Sequence, residues 1–409
     1  MFAGIARVAS FDGAQWTRAI ALLLLVAAPI QGQPRADPSH ESSWIAALDR
    51  YLTGDYAGAT ASVDVLIAGG GEAAASGAVA RIVEDISRAP AGSREHASSV
   101  RRLQGAVLVP LECLLPLSAR VADDPRFAPL QRVLEHAIAA LDHVVVKADP
   151  RLAEFRLWSR IGLMQHQLNT GQLAELEQVA KALRIPDGDH AARAEFALLR
   201  GMARERTARL VTSVYGGSHT YLSTLDMYGP LGPVGNWAPK GVFSSDRAVA
   251  ARRYFRGAAD WYKQALEVVP SHAEARLHLG RTLIDLKRPQ DAVGVLGELT
   301  REPCGTPDCP VARLFIGAAH EALGDPDAAL TAYSHASRHA ATRQSALAAL
   351  LHLELEQGRP DRTLPLSRQL QEPVPASGQD EPDAWGIYVG GRRADSAAVL
   401  RPMRERVLP

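Results

Sequence analysis

The sequence predicts an all-α chain built as a stack of helix-turn-helix repeats, and three observations predict it. The 409 residues hold 69 Ala, 49 Leu and 40 Arg, all strong helix formers. Aromatic residues make up only 6% of the chain, and a β-sandwich, barrel or propeller would need far more of them, with many more β-branched side chains. A paired-helix pattern also returns at intervals of roughly 34 to 37 residues, as a fixed-period array requires. With 47% hydrophobic residues and no net charge, the chain has ample surface to bury and no signature of disorder. Forty-five acids balance 45 bases, so no global field draws it to nucleic acid or an acidic membrane.

The N-terminus reads as a targeting segment, residues 1–32. Arg7 and Arg18 precede an apolar run at 19–30 (AIALLLLVAAPI), too short to span a bilayer and suited to a signal-peptide core. Pro29 breaks the run, and Ile30, Gln31 and Gly32 offer a cleavage site ending on a small residue. The expectation is a mature chain starting near Gln33, exported to the periplasm or outside the cell, with no transmembrane span.

A first helical unit follows at Trp44, Ala47 and Tyr51, then Gly54, Asp55, Tyr56 and Ala59. Residues 68–75 (AGGGEAAA) read as a flexible hinge; they lack the Gly-Lys-Ser/Thr of a phosphate loop. Between 70 and 210 the pattern is degenerate, with Gly162, Gly171 and Gly201 marking diverged first helices in a 33–211 repeat region. Residues 212–244 break the array with six glycines, three prolines and Tyr215, Tyr221, Tyr228, Trp237 and Phe243. Helix cannot run through such a segment, and its aromatics suit a loop that packs on something, either the array or a ligand as a lid.

From 245 to 375 the repeats are clearest. In residues 272–301, Ala275, Leu279, Gly280 and Leu283 share one helical face, and Ala292, Leu296 and Leu299 share another after a break at Arg288 and Pro289. In residues 311–340, Ile316 and Gly317 replace Leu279 and Gly280; Ala329, Tyr333 and Ala336 replace Ala292, Leu296 and Leu299. Ala258, Tyr262, Ala265 and Pro270 supply the second helix of the preceding unit, while Leu350, Gly358 and Leu370 continue the frame more faintly. This arrangement resembles the tetratricopeptide repeat, in which a large apolar residue precedes Gly or Ala in the first helix and Ala, an aromatic or apolar residue, and Ala recur in the second. The resemblance implies a right-handed α-solenoid whose first helices line a groove for an extended peptide. Carried over by position, that groove would present Glu274, Leu277, Arg281 and Asp285, then Leu314, Ala318 and Glu321, then Ala348 and His352. It lacks the Lys and Asn residues with which some members clamp a terminal carboxylate.

Cys304 and Cys309 lie in PCGTPDCP, a loop with little helix tendency, at a spacing that allows a disulfide in an oxidising compartment. Half of a metal site is the competing reading, but it would need two more ligands. Cys113, in an apolar stretch, reads as a buried free thiol. Residues 376–409 read as a linker and a last amphipathic helix that caps the array.

Catalytic signatures such as HExxH, a nucleophile elbow, a Walker loop or a dinucleotide fingerprint do not occur. His335 and His339, four apart, give a possible two-ligand metal face, and Arg200, Arg204, Arg206, Arg209, Arg247, Arg252, Arg253 and Arg256 border the insertion as a solvated face or an acidic-partner site. The expectation is a non-catalytic, cofactor-free scaffold for a protein or peptide of the cell envelope. The alternative is a helical hydrolase or lyase of an envelope polymer, using Tyr221, His219 and Asp226 of the insertion.

Overall fold

The computed structural model describes residues 38–121, 123–142, 150–212, 245–301, 308–371 and 384–407. The expected leader, the five insertion aromatics Tyr215, Tyr221, Tyr228, Trp237 and Phe243, the alternative site at Tyr221, His219 and Asp226, and Cys304 lie outside the described residues. Among those described, 17 helices and no strand occur. They are α1 (Pro38–Leu52), α2 (Tyr56–Ala68), α3 (Glu72–Arg88), α4 (Arg94–Arg120), α5 (Phe127–Leu141), α6 (Pro150–Thr170), α7 (Leu173–Ala182), α8 (His190–Thr212) and α9 (Ser245–Val268). The remainder are α10 (Ala273–Asp285), α11 (Pro289–Gly297), α12 (Asp308–Leu323), α13 (Pro326–Ala336), α14 (Ala340–Glu356), α15 (Pro360–Gln371), α16 (Ala384–Val389) and α17 (Ala397–Val407). Successive helices pair and stack, each hairpin leaning on the next, as in an α-solenoid.

The turns show why the hairpins close where they do. In α1/α2, α6/α7, α10/α11, α12/α13 and α14/α15 one residue adopts a left-handed conformation: Gly54, Gly171, Lys287, Gly324 and Gly358. The following N–H bonds back five residues, from Asp55 to Arg50, Gln172 to Gln167, Arg288 to Leu283, Asp325 to His320 and Arg359 to Glu354. This closes the exposed carbonyls at the end of each first helix. Asp55 and Asp325 then accept the N–H of Gly58 and Ala328 at 2.9 and 3.1 Å, capping the second helix.

Close approach explains the small residues. A Cβ built on Gly201, Gly280 or Gly317 would stand 2.4, 2.3 and 2.3 Å from side-chain carbons of Tyr262, Leu296 and Tyr333 respectively. Each glycine thus receives one large side chain of its own hairpin's second helix. The α8/α9 pair is the most extensive helix contact among the described residues, so the 213–244 segment joins two halves of one repeat. First helices α4, α6, α8, α10, α12 and α14 also touch in sequence, forming a continuous face.

Several expectations need correction. Residues 68–75 are not a hinge: Gly71 N–H bonds to Leu66 O at 2.9 Å, and α3 begins at Glu72. In PCGTPDCP, Asp308, Cys309 and Pro310 already form the first turn of α12, where proline's missing N–H costs nothing. His335 and His339 do not share a helix, because α13 ends at Ala336 and His339 is the cap residue of α14. The last helix does not cap the C-terminal end; α17 packs against α4 and α6, far back along the array. Cys113 is a buried free thiol, and burial pushes it up to about 12. Among the described residues, no helix is long and apolar enough to cross a membrane.

Candidate functional site

The face formed by the first helices is occupied by the chain's own C-terminal segment. After the short helix α16, residues 392–396 are non-helical and lead into α17. Gly391, at φ 61°, makes the reversal, and Arg392 N–H closes the end of α16 on Ile387 O at 3.0 Å. A side chain at Gly391 would be strained by that φ and would meet Arg206 Cδ at 3.2 Å. The segment contacts α12 and α14 through α16, and α6 and α4 through α17.

Arg393 is its centre, with only 1% of its side chain exposed. Its guanidinium donates from Nε to Glu274 Oε2 at 2.8 Å, and from Nη1 to Glu195 and, at 3.4 Å, to Gln165 Oε1. Three first helices, α6, α8 and α10, therefore converge on one cation. Burial by itself would push Glu195 up, yet Arg393 and His272 hold it at about 2. At nearby Asp308 the balance goes the other way: burial, with Glu274 adding to it, outweighs His278 and His272 and pushes Asp308 up to about 6.

Backbone atoms are gripped as well. Asn169 Oδ1 accepts the Arg393 N–H at 2.7 Å, while its Nδ2 donates to Arg393 O at 3.1 Å. Gln165 Nε2 donates to Asp395 O at 3.0 Å. Gln165 and Asn169 lie one helical turn apart, a rise of about 6 Å. Alternate residues of an extended chain lie roughly 6.6 Å apart, so one helix face can hold residues 393 and 395 together.

An aromatic slot adjoins the cation site. The Tyr388 ring stacks on His278 at 4.8 Å between centroids and lies 5.0 Å from Phe315. Its hydroxyl donates to Glu205 Oε1 at 3.2 Å. Glu205 is buried and also accepts from Tyr262 at 2.6 Å, from Arg209 at 2.6 Å, and faces His278 Nδ1 at 2.8 Å. Burial works against its charge, but Arg209 and His278 hold it well below the usual carboxylate range. Burial pushes Tyr262 and Tyr388 well above ordinary phenol values, so both remain donors.

Helix α17 completes the segment. Val399, Leu400, Met403 and Val407 are buried, and Arg404 donates from Nε to Glu112 Oε1 at 2.6 Å. Tyr51 of α1 donates to the same oxygen at 2.6 Å.

The expected groove residues are distributed unevenly around this segment. Glu274 belongs to the Arg393 site. Leu277, Leu314 and Ala318 are buried core. Arg281 pairs with Asp285 at 3.4 Å and lies over Phe315. Glu321 accepts from Tyr333 at 2.9 Å, and burial pushes it up to about 7; His352 lies 3.3 Å from Glu356. The arginines before the insertion turn inward: Arg200 to Glu177 and Trp261, Arg206 to Leu168 O, Arg209 to Glu205. Sequence reasoning missed Glu195, Glu205, Gln165, Asn169 and Arg393. The available signal was polar residues at buried helical positions, such as His278 between Leu277 and Leu279.

The tetratricopeptide-repeat family profile matches residues 245–302 and 280–346, so this part of the chain consists of tetratricopeptide repeats. Among solved structures, a mutant form of MamA is similar at 15% identity, over 53% of this chain and 97% of that one, with a TM-score of 0.33. No curated protein matches the sequence.

Proposed function

With its repeats at 245–346 as premise, we propose that this chain is a non-catalytic protein-binding scaffold whose first-helix face holds an extended segment of protein. One observation carries this reading. That face already holds such a segment, the non-helical residues 392–396, by a side-chain site for Arg393 and by hydrogen bonds to backbone atoms at 393 and 395, with Tyr388 of the preceding helix α16 seated beside it. Backbone bonds favour any extended chain, and the pockets select among them.

The expected export belongs to the same reading. The run at 19–30 supports a leader, and Cys304 and Cys309 would then close a disulfide at the start of α12. N-terminal sequencing of the cell-expressed protein should find a mature start near Gln33; an intact Met1 would remove the export.

Face binding is tested by placing a protease site between residues 372 and 383 of the full chain. After cleavage the C-terminal fragment should stay bound on gel filtration, and a labelled peptide of residues 384–407 should exchange into its place. A fragment that departs and a peptide that never binds would sink the reading.

A further inference from the structure

The strongest feature beyond this reading is the chemistry of the occupied face, and it rests on that reading. We propose that the face recognises, in a partner protein, an aromatic residue followed five positions later by arginine, and that Tyr388 to Arg393 is a resident copy of that signal which the partner displaces.

The cation site demands a guanidinium. Glu195 and Glu274 come from different helices to one buried point, and Asp308 stands beside Glu274. Without a cation these carboxylates, Glu195 buried and Glu274 partly so, would face one another, which water-poor surroundings penalise. Ammonium would supply the charge but not the fit. Nε addresses Glu274 while Nη1 addresses both Glu195 and Gln165, a forked pattern that a planar guanidinium meets and a lysine does not.

The aromatic slot demands a phenol. His278 and Phe315 hold the ring, Arg209 lies 5.4 Å from its centroid, and Glu205 takes the hydroxyl proton in a hydrogen bond. Between the two pockets the chain supplies Val389, glycines 390 and 391 and Arg392, and Arg206 crowds the second glycine. The spacing is thus read by distance and by the glycine at 391. Asn169 then fixes the arginine's own backbone on both sides.

The resident copy is tethered through a connection of twelve residues, 372–383. A tether that short gives an effective concentration on the order of millimolar, so a partner binds the intact chain far more weakly than the bare site. Weakening the resident copy should therefore raise the affinity for the same sequence presented from outside.

The test uses the full chain and a fluorescein-labelled peptide of residues 384–398, followed by anisotropy. The Arg393→Ala chain should bind this peptide at least tenfold more tightly than the wild type. In the peptide, R393K or Y388A should weaken binding at least tenfold. Thermal shift gives a second reading that needs no displacement: methylguanidinium should raise the melting temperature of the Arg393→Ala chain more than methylammonium does. If the peptide binds but its Arg and Tyr substitutions make no difference, the signal is overturned while the scaffold reading stands. If the peptide binds Arg393→Ala no better than wild type and the two cations act alike, the proposal fails. If no peptide binds to either the variant or the cleaved chain, both fail.

Discussion

His166 shows how much a single buried group can decide. It lies fully buried on α6, edge-on to Phe127, and among the described residues neither ring nitrogen has a hydrogen-bond partner. Burial lowers it to about 4, so the folded protein keeps the ring neutral where the unfolded chain would protonate it below about 6.5. The stability lost accumulates as pH falls from 6.5 to 4 and reaches on the order of 3 kcal/mol. His166→Leu should be at least as stable as wild type at pH 7.5, and its advantage should grow towards that value by pH 4. Urea titrations at four pH values check this; parallel dependence in the two proteins would contradict it. Arg393 gives the opposite case. Arg393→Ala leaves buried Glu195 and partly buried Glu274 without their cation and should cost about 3–5 kcal/mol, whereas replacing all three by Met and Gln should recover most of it. Chemical denaturation of the single and triple variants provides the comparison. Neither residue was legible beforehand. His166 sits among Gln165, Gln167 and Asn169 in a helix whose apolar pattern is weak, and Arg393 is one of 40 arginines.

Among the helices, two kinds of glycine have opposite energetics. Gly280 receives Leu296, and a Cβ there would stand 2.3 Å from Leu296 Cγ; Gly294, in α11, has nothing within 4 Å of a Cβ. Gly280→Ala should destabilise by about 1–3 kcal/mol through overpacking. Gly294→Ala should stabilise by roughly 0.5–1 kcal/mol, the ordinary gain inside a helix. Equal shifts of melting temperature would remove the packing argument. The turns carry a third prediction. Lys287, at φ 62°, occupies the left-handed position that Gly324 and Gly358 hold in the next two hairpins. Lys287→Gly should relieve roughly 1 kcal/mol of strain, partly offset by unfolded-chain entropy. These elements were legible because each repeat has the same local need at the same position. A large residue facing a glycine, followed by a left-handed turn, recurs at a fixed spacing in the sequence.

At the scale of the molecule, the C-terminal segment ties first helices from α14 back to α4. Its apolar side chains contribute roughly 1.5–3 kcal/mol each as an upper range, and Arg393 and Arg404 add ion pairs on α8, α10 and α4. A chain ending at 383 should therefore lose protection of the α6 amides in hydrogen exchange and expand in small-angle scattering. Unchanged exchange at residues 165–169 would show that the array holds its own curvature. The segment's amphipathic pattern was visible in the sequence, but its docking place was not. A repeat pattern reports neighbours in the stack, while Asn169 and Arg393 stand 224 residues apart with no periodic sign to link them.

The bond between Arg404 and Glu112 joins residues 292 positions apart. A ribosome adding about 5–20 residues per second makes the second residue roughly 15–60 s after the first. During that interval α4, and α6 once it is made, lack the α17 side chains that pack on them. Maturation of this molecule thus has a fixed order: the contacts of α17 on α4 and α6 form only after the C-terminal segment has been made.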